Sequence, residues 1–286
     1  MRVRQLSGYL FASPWILTFL IFWLFPLVYS LYLGFTDYRL LKPTYNWVGF
    51  QNYIALLADN NFILALKNTF IFVIGTIPLT TIIALGMAIL INRNFPGRTI
   101  FRSAFFMPSI TSMVVIALIF TNLYSRGGYI FLLSEMLGIE PPANGFLLSN
   151  STALAAIMAM DVWMSVGYYM LLFLAGLKSI PVELYEAADV AGAGNFRKFF
   201  SITLPLLKPV ALFIIVINTI KSFQIFVEIF VMTQGKYGTN TAVYFVYENG
   251  LSRFEFGYAS AAAYILFVII AIFSIFQFGL LKEQRA

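Results

Sequence analysis

The chain has 286 residues, 60% of them hydrophobic and 10% charged, with a mean hydropathy of +0.86 and a formal net charge of +6. A soluble domain carries about 25% charged and about 45–50% apolar residues, so this composition cannot cover a water-facing surface and the chain belongs in lipid. Histidine and cysteine are both absent, which excludes zinc sites, thiol nucleophiles and histidine-dependent triads, and the basic residues are too scattered for a nucleic-acid surface.

A bilayer core about 30 Å thick requires roughly 20 apolar residues of helix. Six runs meet this. Tyr9–Leu33 follows Arg2 and Arg4 as a signal peptide would. It is about twice the length of a cleavable apolar region and lacks a small-residue exit site, so it is expected to stay as an anchor. The segment Gly34–Thr69 is longer than a tight hairpin needs, and its apolar, amide-rich stretch around Val48–Leu57 reads as a short helix on the membrane surface. Phe70–Ile91, Phe105–Tyr124 and Ala153–Ala175 form the second to fourth spans, Val210–Phe230 the fifth and Ala259–Leu281 the sixth.

Cytoplasmic loops carry an excess of Lys and Arg. With the N-terminus inside, Arg2, Arg4, Arg93, Arg98, Arg102, Lys178, Arg197, Lys198, Lys208, Lys282 and Arg285 lie on the cytoplasmic side. Arg39, Lys42, Lys67, Arg126, Lys236 and Arg253 lie opposite, and Lys221 alone falls within a span. Both termini are therefore expected in the cytoplasm.

Between the fourth and fifth spans, the cytoplasmic segment Leu177–Pro205 predicts a helix, a turn and a second helix. Pro181 suits a first helical position, and Glu183 and Glu186 sit near the positive end of the dipole. Gly192 and Gly194 suit the left-handed conformation that ends a helix. A short helix from Asn195 to about Ile202 then runs into Pro205 and Pro209. Small Ala187 and Ala188 let another protein approach closely, so the unit reads as a docking element; an amphipathic connector on the membrane surface is the alternative.

Glu186-Ala187-Ala188, three residues, Gly192, nine residues, Ile202, one residue and Leu204-Pro205 resemble the EAA loop of permease subunits in binding-protein-dependent ABC importers. The resemblance extends through nearly the whole chain, most closely to the maltose and glycerol-3-phosphate type of carbohydrate permease. It includes Tyr9-Leu10-Phe11 with Pro14, then Pro26, Phe35-Thr36-Asp37 and Val48-Gly49-Phe50-Gln51-Asn52-Tyr53. It continues with Asn68-Thr69, Pro108 and Gly257-Tyr258-Ala259-Ser260-Ala261. The opening segment and Val48–Tyr53 are similar to the first of the two unlike permease subunits. Two departures stand out. The family usually places an aspartate directly before the loop glycine, where this chain has Ala191, with Asp189 two positions earlier. Its outside loop often reads Thr-x-Gly-Gly-Pro, where this chain has Thr233-Gln-Gly-Lys-Tyr-Gly238.

The resemblance implies that Glu183, Glu186, Ala187, Ala188, Gly192, Ile202, Leu204 and Pro205 couple the spans to a cytoplasmic ATPase. It also implies a second, unlike permease subunit, two ATPase subunits and an extracytoplasmic solute-binding protein. The chain has no G-x-x-x-x-G-K-[ST] phosphate loop, so ATP and Mg are expected in the partner ATPase and no cofactor or metal in this chain.

Three ionisable residues fall within spans: Asp161, Lys221 and Glu228. Each costs roughly 2.5–3.5 kcal/mol near the bilayer centre, so they should face protein or a water-filled path. At about 100° per residue, Asn218, Lys221, Ser222 and Glu228 share one arc of the fifth span, with Gln224 at its edge. Asp161, Ser165, Tyr168 and Tyr169 share an arc of the fourth, while Trp163 points elsewhere. Hydroxyl, amide and carboxylate groups among aromatic rings suit a sugar. The other reading pairs Lys221 with Glu228 as an internal ion pair and leaves Asp161 near a span end or bound to the backbone.

The expectation is an all-α membrane protein, a single permease domain over residues 1–286 with six transmembrane helices and a cytoplasmic helix-turn-helix coupling loop. It would lie in the cytoplasmic membrane of a prokaryote and import a sugar or related solute by alternating access, without covalent chemistry. The competing class is an ion-coupled secondary transporter relaying charge through Asp161, Lys221 and Glu228. A membrane-embedded enzyme built on Asp161 and Glu228 has no supporting motif.

Overall fold

The computed structural model describes residues 2–282; Arg285, counted above on the cytoplasmic side, lies outside the described residues. Helix α1 (Arg2–Phe19) continues through a π-helical turn (Leu20–Leu24) into α2 (Phe25–Gly34), and α3 (Gln51–Ala58) is followed by α4 (Asn60–Asn92). Helices α5 (Arg98–Ile110) and α6 (Met113–Tyr124) form a bent pair, and α7 (Tyr129–Met136) precedes α8 (Ala153–Lys178). Helices α9 (Val182–Val190) and α10 (Asn195–Lys198) lead through a second π turn (Phe199–Thr203) into α11 (Leu204–Phe223). Helices α12 (Val227–Met232), α13 (Ala242–Tyr247) and α14 (Phe256–Lys282) follow. Among the described residues the only extended pairings are two isolated bridges, Thr36 with Trp47 and Ser125 with Gly145.

Five helices are long and apolar enough to cross a membrane, and up to six do so if the bent pair counts as one span. The third apolar run is therefore not the straight helix expected over Phe105–Tyr124. It breaks at Thr111–Ser112, where Thr111 is extended and neither residue is helical, with 97° between its halves. Pro108 supplies no N–H to the turn before it, and the Thr111 hydroxyl donates to the Met107 carbonyl at 2.9 Å, so local groups partly replace the helical ladder at the break.

The fifth apolar run differs in the opposite sense at its start. Pro205 and Pro209 lie inside a helix that runs from Asn195 to Phe223, where the sequence suggested a separation. The π turn makes this possible, because the Leu204 N–H reaches five residues back to the Phe199 carbonyl and the widened turn makes room for the ring of Pro205. The same device stands before Pro26, where the Phe25 N–H reaches Leu20. At its far end the run breaks at Gln224–Phe226 before α12.

The chain divides into two compact units. One comprises residues 1–63 and 245–268. Here Asn52 Nδ2 donates to the carbonyls of Gly34 at 2.9 Å and Thr36 at 2.8 Å, and the Phe35 ring packs on Trp47, Phe50 and Tyr53. Helix α3 is thereby tied to the end of α2. Gly257 is required by proximity, since a Cβ there would lie 2.2 Å from the Thr36 carbonyl oxygen, and its N–H donates to Tyr38. The Tyr258 hydroxyl donates to Asp59 at 2.9 Å. Sequence motifs far apart along the chain meet here.

The other unit comprises residues 64–244 and 269–286. Helix α8 is its axis, with most of its residues buried. One apolar cluster gathers Ala84, Ala88, Met170, Phe173, Leu177, Leu207 and Ile214, and a second gathers Phe72, Ile116, Ile157, Met160, Ile225 and Ile229. Small residues bring backbones together where lipid offers no hydrophobic drive. A Cβ on Gly167 would stand 1.8 Å from the Phe105 carbonyl oxygen, and the Ser109 hydroxyl donates to the Met164 carbonyl at 2.7 Å. Helix α4 runs unbroken through Pro78, and Gly75 faces Met158 closely while Gly86 faces open space.

Candidate functional site

Helices α8 and α11 bring the intramembrane polar residues together. Asp161, 3% exposed, accepts from Lys221 Nζ at 3.3 Å, and Lys221 also donates to the Ser165 hydroxyl at 2.7 Å. Ser165 completes the triangle by donating to Asp161 at 3.4 Å. The partner of Lys221 is thus Asp161 rather than Glu228. The reason is the end of α11 at Phe223: past the break, Glu228 opens the first turn of α12 and no longer follows Lys221 along one helical face.

Glu228 nonetheless borders the same space. A cavity of about 580 Å³ is lined by Asp161, Lys221, Ser222, Gln224 and Glu228 together with Phe72, Met113 and Phe226 and further aliphatic side chains. A second cavity, of about 300 Å³, is lined by Ser109, Met164, Ser165, Tyr168, Tyr169, Ile217 and Lys221. Lys221 belongs to both, and its side chain is 44% exposed, so its ammonium reaches open space while holding the buried carboxylate.

Asn218 does not line either cavity. It is buried, its Oδ1 accepts from Ser222 at 3.4 Å, and Ser222 in turn lies 3.4 Å from the Thr76 hydroxyl of α4. Among the described residues the Asn218 amide nitrogen has no hydrogen-bond partner. Trp163 turns away, exposed and packed on Phe120. Sequence reasoning missed Ser109 as a wall residue; the run Pro108-Ser-Ile-Thr-Ser112, polar in an apolar span, is the feature that marks it.

The segment after α8 forms two joined helices. Pro181 immediately precedes α9 rather than opening it, and Glu183 lies in the first turn beside the unpaired N–H groups. Gly192 has φ +73°; its N–H reaches Asp189 at 3.0 Å and the Ala193 N–H reaches Ala188 at 2.9 Å, the paired closure of a Schellman turn. Gly194 does not share that conformation: at φ −66° and ψ 163° it is extended and precedes α10.

Two side-chain links fasten α9 to the helix that follows. The hydroxyls of Tyr185 and Thr203 are 2.8 Å apart, and Lys198 Nζ meets Asp189 at 2.6 Å. Glu183, Glu186, Ala187 and Gly192 are exposed, Ala188 is half-buried, and Leu204 and Pro205 are exposed. Ile202 instead packs against the core cluster that includes Leu177 and Leu207. Val182, Leu184 and Val190 of α9 and Phe196 of α10 are also exposed.

Comparison with known proteins adds an independent line. Residues 77–285 match the family described as binding-protein-dependent transport system inner membrane component. The chain is 35% identical over 283 residues to the probable ABC transporter permease protein YesP of Bacillus subtilis (strain 168), covering 97% of this chain and 91% of that protein. It is 34% identical over 281 residues to the arabinooligosaccharides transport system permease protein AraP of the same organism, covering 97% and 89%. A chain in the crystal structure of a bacterial ABC transporter involved in the import of the acidic polysaccharide alginate is similar in fold, with a TM-score of 0.85 at 24% identity over 98% of this chain and 96% of that one.

Proposed function

The chain belongs to the binding-protein-dependent transport system inner membrane components and is a permease subunit of an ABC importer; from that premise we propose how it works and what it carries. The ion-coupled alternative loses its footing here, since relatives aligned over nearly the whole chain are ABC permease proteins. The solute is a sugar or oligosaccharide. Relatives that share about a third of the sequence include an arabinooligosaccharide permease, and the cavity beside Lys221 combines hydroxyl, amide and carboxyl groups with aromatic rings, which suits hydroxyl-rich solutes.

In this reading the whole chain acts as one permease domain in the cytoplasmic membrane of a prokaryote, with both termini and the α9–α10 unit on the cytoplasmic side. It pairs with a second, unlike permease subunit and two ATPase subunits, which hold ATP and Mg, and a solute-binding protein delivers cargo from outside. Glu183, Glu186, Ala187, Ala188 and Gly192 form the face that meets the ATPase, and Ile202, Leu204 and Pro205 join that face to α11. Asp161, Ser165, Tyr168, Tyr169, Lys221, Ser222, Gln224 and Glu228 line the solute path, with Asn218 packed behind them.

One observation carries the mechanism. The helix that begins at Asn195 beside α9 runs without interruption to Phe223, and Lys221 sits in its last turn. ATP-driven closure of the ATPases displaces α9; the Tyr185–Thr203 and Asp189–Lys198 links pass that displacement to α11; and the Lys221 end of the cavity moves with it. Alternating access follows from moving one helix that touches both the docking face and the path.

The experiment is a mild-detergent pull-down of the tagged chain beside a Gly192→Asp variant. The native chain should recover an ATPase and a second permease, and the variant should keep the permease while losing most of the ATPase. Recovery of the native chain alone would reject the assembly.

A further inference from the structure

The charge inventory of the larger cavity narrows the solute class. Its lining includes one cationic residue, Lys221, and two acidic ones, Asp161 and Glu228. The ammonium is engaged, holding Asp161 at 3.3 Å and the Ser165 hydroxyl at 2.7 Å. A buried carboxylate left without its cation is strongly penalised, so Lys221 cannot leave Asp161 to receive another anion without exposing that cost.

We infer that the path is built for uncharged saccharides and rejects acidic ones such as uronates. This rests on the reading of the cavity as the solute path. An arriving sugar carboxylate would find only a cation whose charge is already matched by Asp161 and would approach Glu228, itself an acceptor; rejection by an unmatched like group is an effective source of selectivity. An uncharged sugar meets the opposite situation. Its hydroxyls can donate to Glu228 and to the Gln224 carbonyl and accept from the Gln224 amide, Ser222 and the remaining Lys221 proton, while Phe72 offers a face to its C–H surface. Apart from the ion pair, the polar groups of this wall are those that hydroxyls satisfy.

The test uses the assembled complex of this chain with its partner permease and ATPase subunits, purified without the solute-binding protein so that the latter's selectivity does not enter. Saturation transfer from protein methyl groups is measured to three neutral trisaccharide probes, maltotriose, arabinotriose and raffinose, and to trigalacturonate at equal concentration. At least one neutral probe should show about tenfold stronger transfer than the acidic one, a preference of about 1.4 kcal/mol. Glu228→Gln should narrow the gap, and Glu228→Lys should reverse it. Trigalacturonate transfer in the native complex equal to or above the best neutral probe overturns the inference while leaving the cavity as a saccharide path. Absence of transfer to all four probes rejects the cavity as that path, and the inference with it.

Discussion

The hydroxyls of Tyr185 and Thr203 stand 2.8 Å apart, joining the middle of α9 to the last residue of the π turn that feeds α11. Thr203 is buried and Tyr185 half-buried, so this link is shielded from water, unlike the exposed Asp189 carboxylate that binds Lys198 nearby. A single hydrogen bond of this kind contributes about 0.5–1.5 kcal/mol. Its position makes that amount matter, because it lies on the direct route between the exposed side of α9 and the fifth apolar run.

Tyr185→Phe should therefore leave subunit association intact while lowering solute-stimulated ATP hydrolysis and uptake together. Thr203→Val, which also removes the hydroxyl's weaker 3.5 Å contact with the Lys198 carbonyl, should do at least as much, and the double variant should be no worse than Thr203→Val alone. Uptake at the native rate in Tyr185→Phe would show that the displacement travels elsewhere.

The two loop glycines should respond differently to substitution. Gly192 sits at φ +73°, and a methyl group added there would have open space around it. Gly192→Ala therefore meets no clash and pays only the left-handed backbone cost, about 1–2 kcal/mol. Gly192→Asn should recover part of it. Gly194 is extended, and Gly194→Ala should be close to neutral. Thermal unfolding of the purified chain, followed with uptake, separates the three.

Charge pairing across α8 and α11 predicts a rescue pattern. Lys221→Met leaves Asp161 buried without its cation and should destabilise the protein by about 3–5 kcal/mol; Asp161→Asn, which leaves the half-exposed ammonium, should cost less. The double variant should recover most of the folded yield while uptake stays low. Detergent-stability midpoints for the four proteins check this, and equal instability of single and double variants would contradict the pairing.

Helix proximity gives a further contrast. Gly167→Ala would drive a methyl group to within 1.8 Å of the Phe105 carbonyl oxygen. Backbone must move to accept it, so a loss of stability of several kcal/mol is expected, larger than the usual cost of overpacking, about 1–3 kcal/mol. Gly86→Ala, with nothing within 4 Å, should be neutral or slightly stabilising in the same melting assay.

Much of the fold was legible because lipid forces the issue: a helix that must satisfy its own backbone in hydrocarbon announces itself as an apolar run. The α9 turn was equally legible, since Gly192 is a local conformational requirement. The break at Thr111–Ser112 was not, because proline is tolerated inside membrane helices when neighbouring groups take up the freed carbonyls, as Pro78 and Pro209 show within intact helices. The partner of Lys221 was hidden for a related reason. Helical phase predicts which residues share a face only while the helix continues, and the interruption at Gln224–Phe226 cancels the phase that would have joined Lys221 to Glu228. Residues on α8 and α11 came together as expected, but which carboxylate took the ammonium depended on tertiary packing.

The π turn at Phe199–Thr203 amounts to one residue more than an α-helix needs over that stretch. The widened turn winds by less per residue, so its five residues cover about the rotation that four cover in an α-helix, and the segments on either side keep nearly the azimuth of an uninterrupted helix. Deleting one residue there would return the segment to ordinary winding with α10 and Lys221 at nearly their present bearings, but it would remove the room that receives the ring of Pro205. The extra residue thus acts as a local shim: it admits a proline to the interior of a continuous helix without turning one end of that helix against the other.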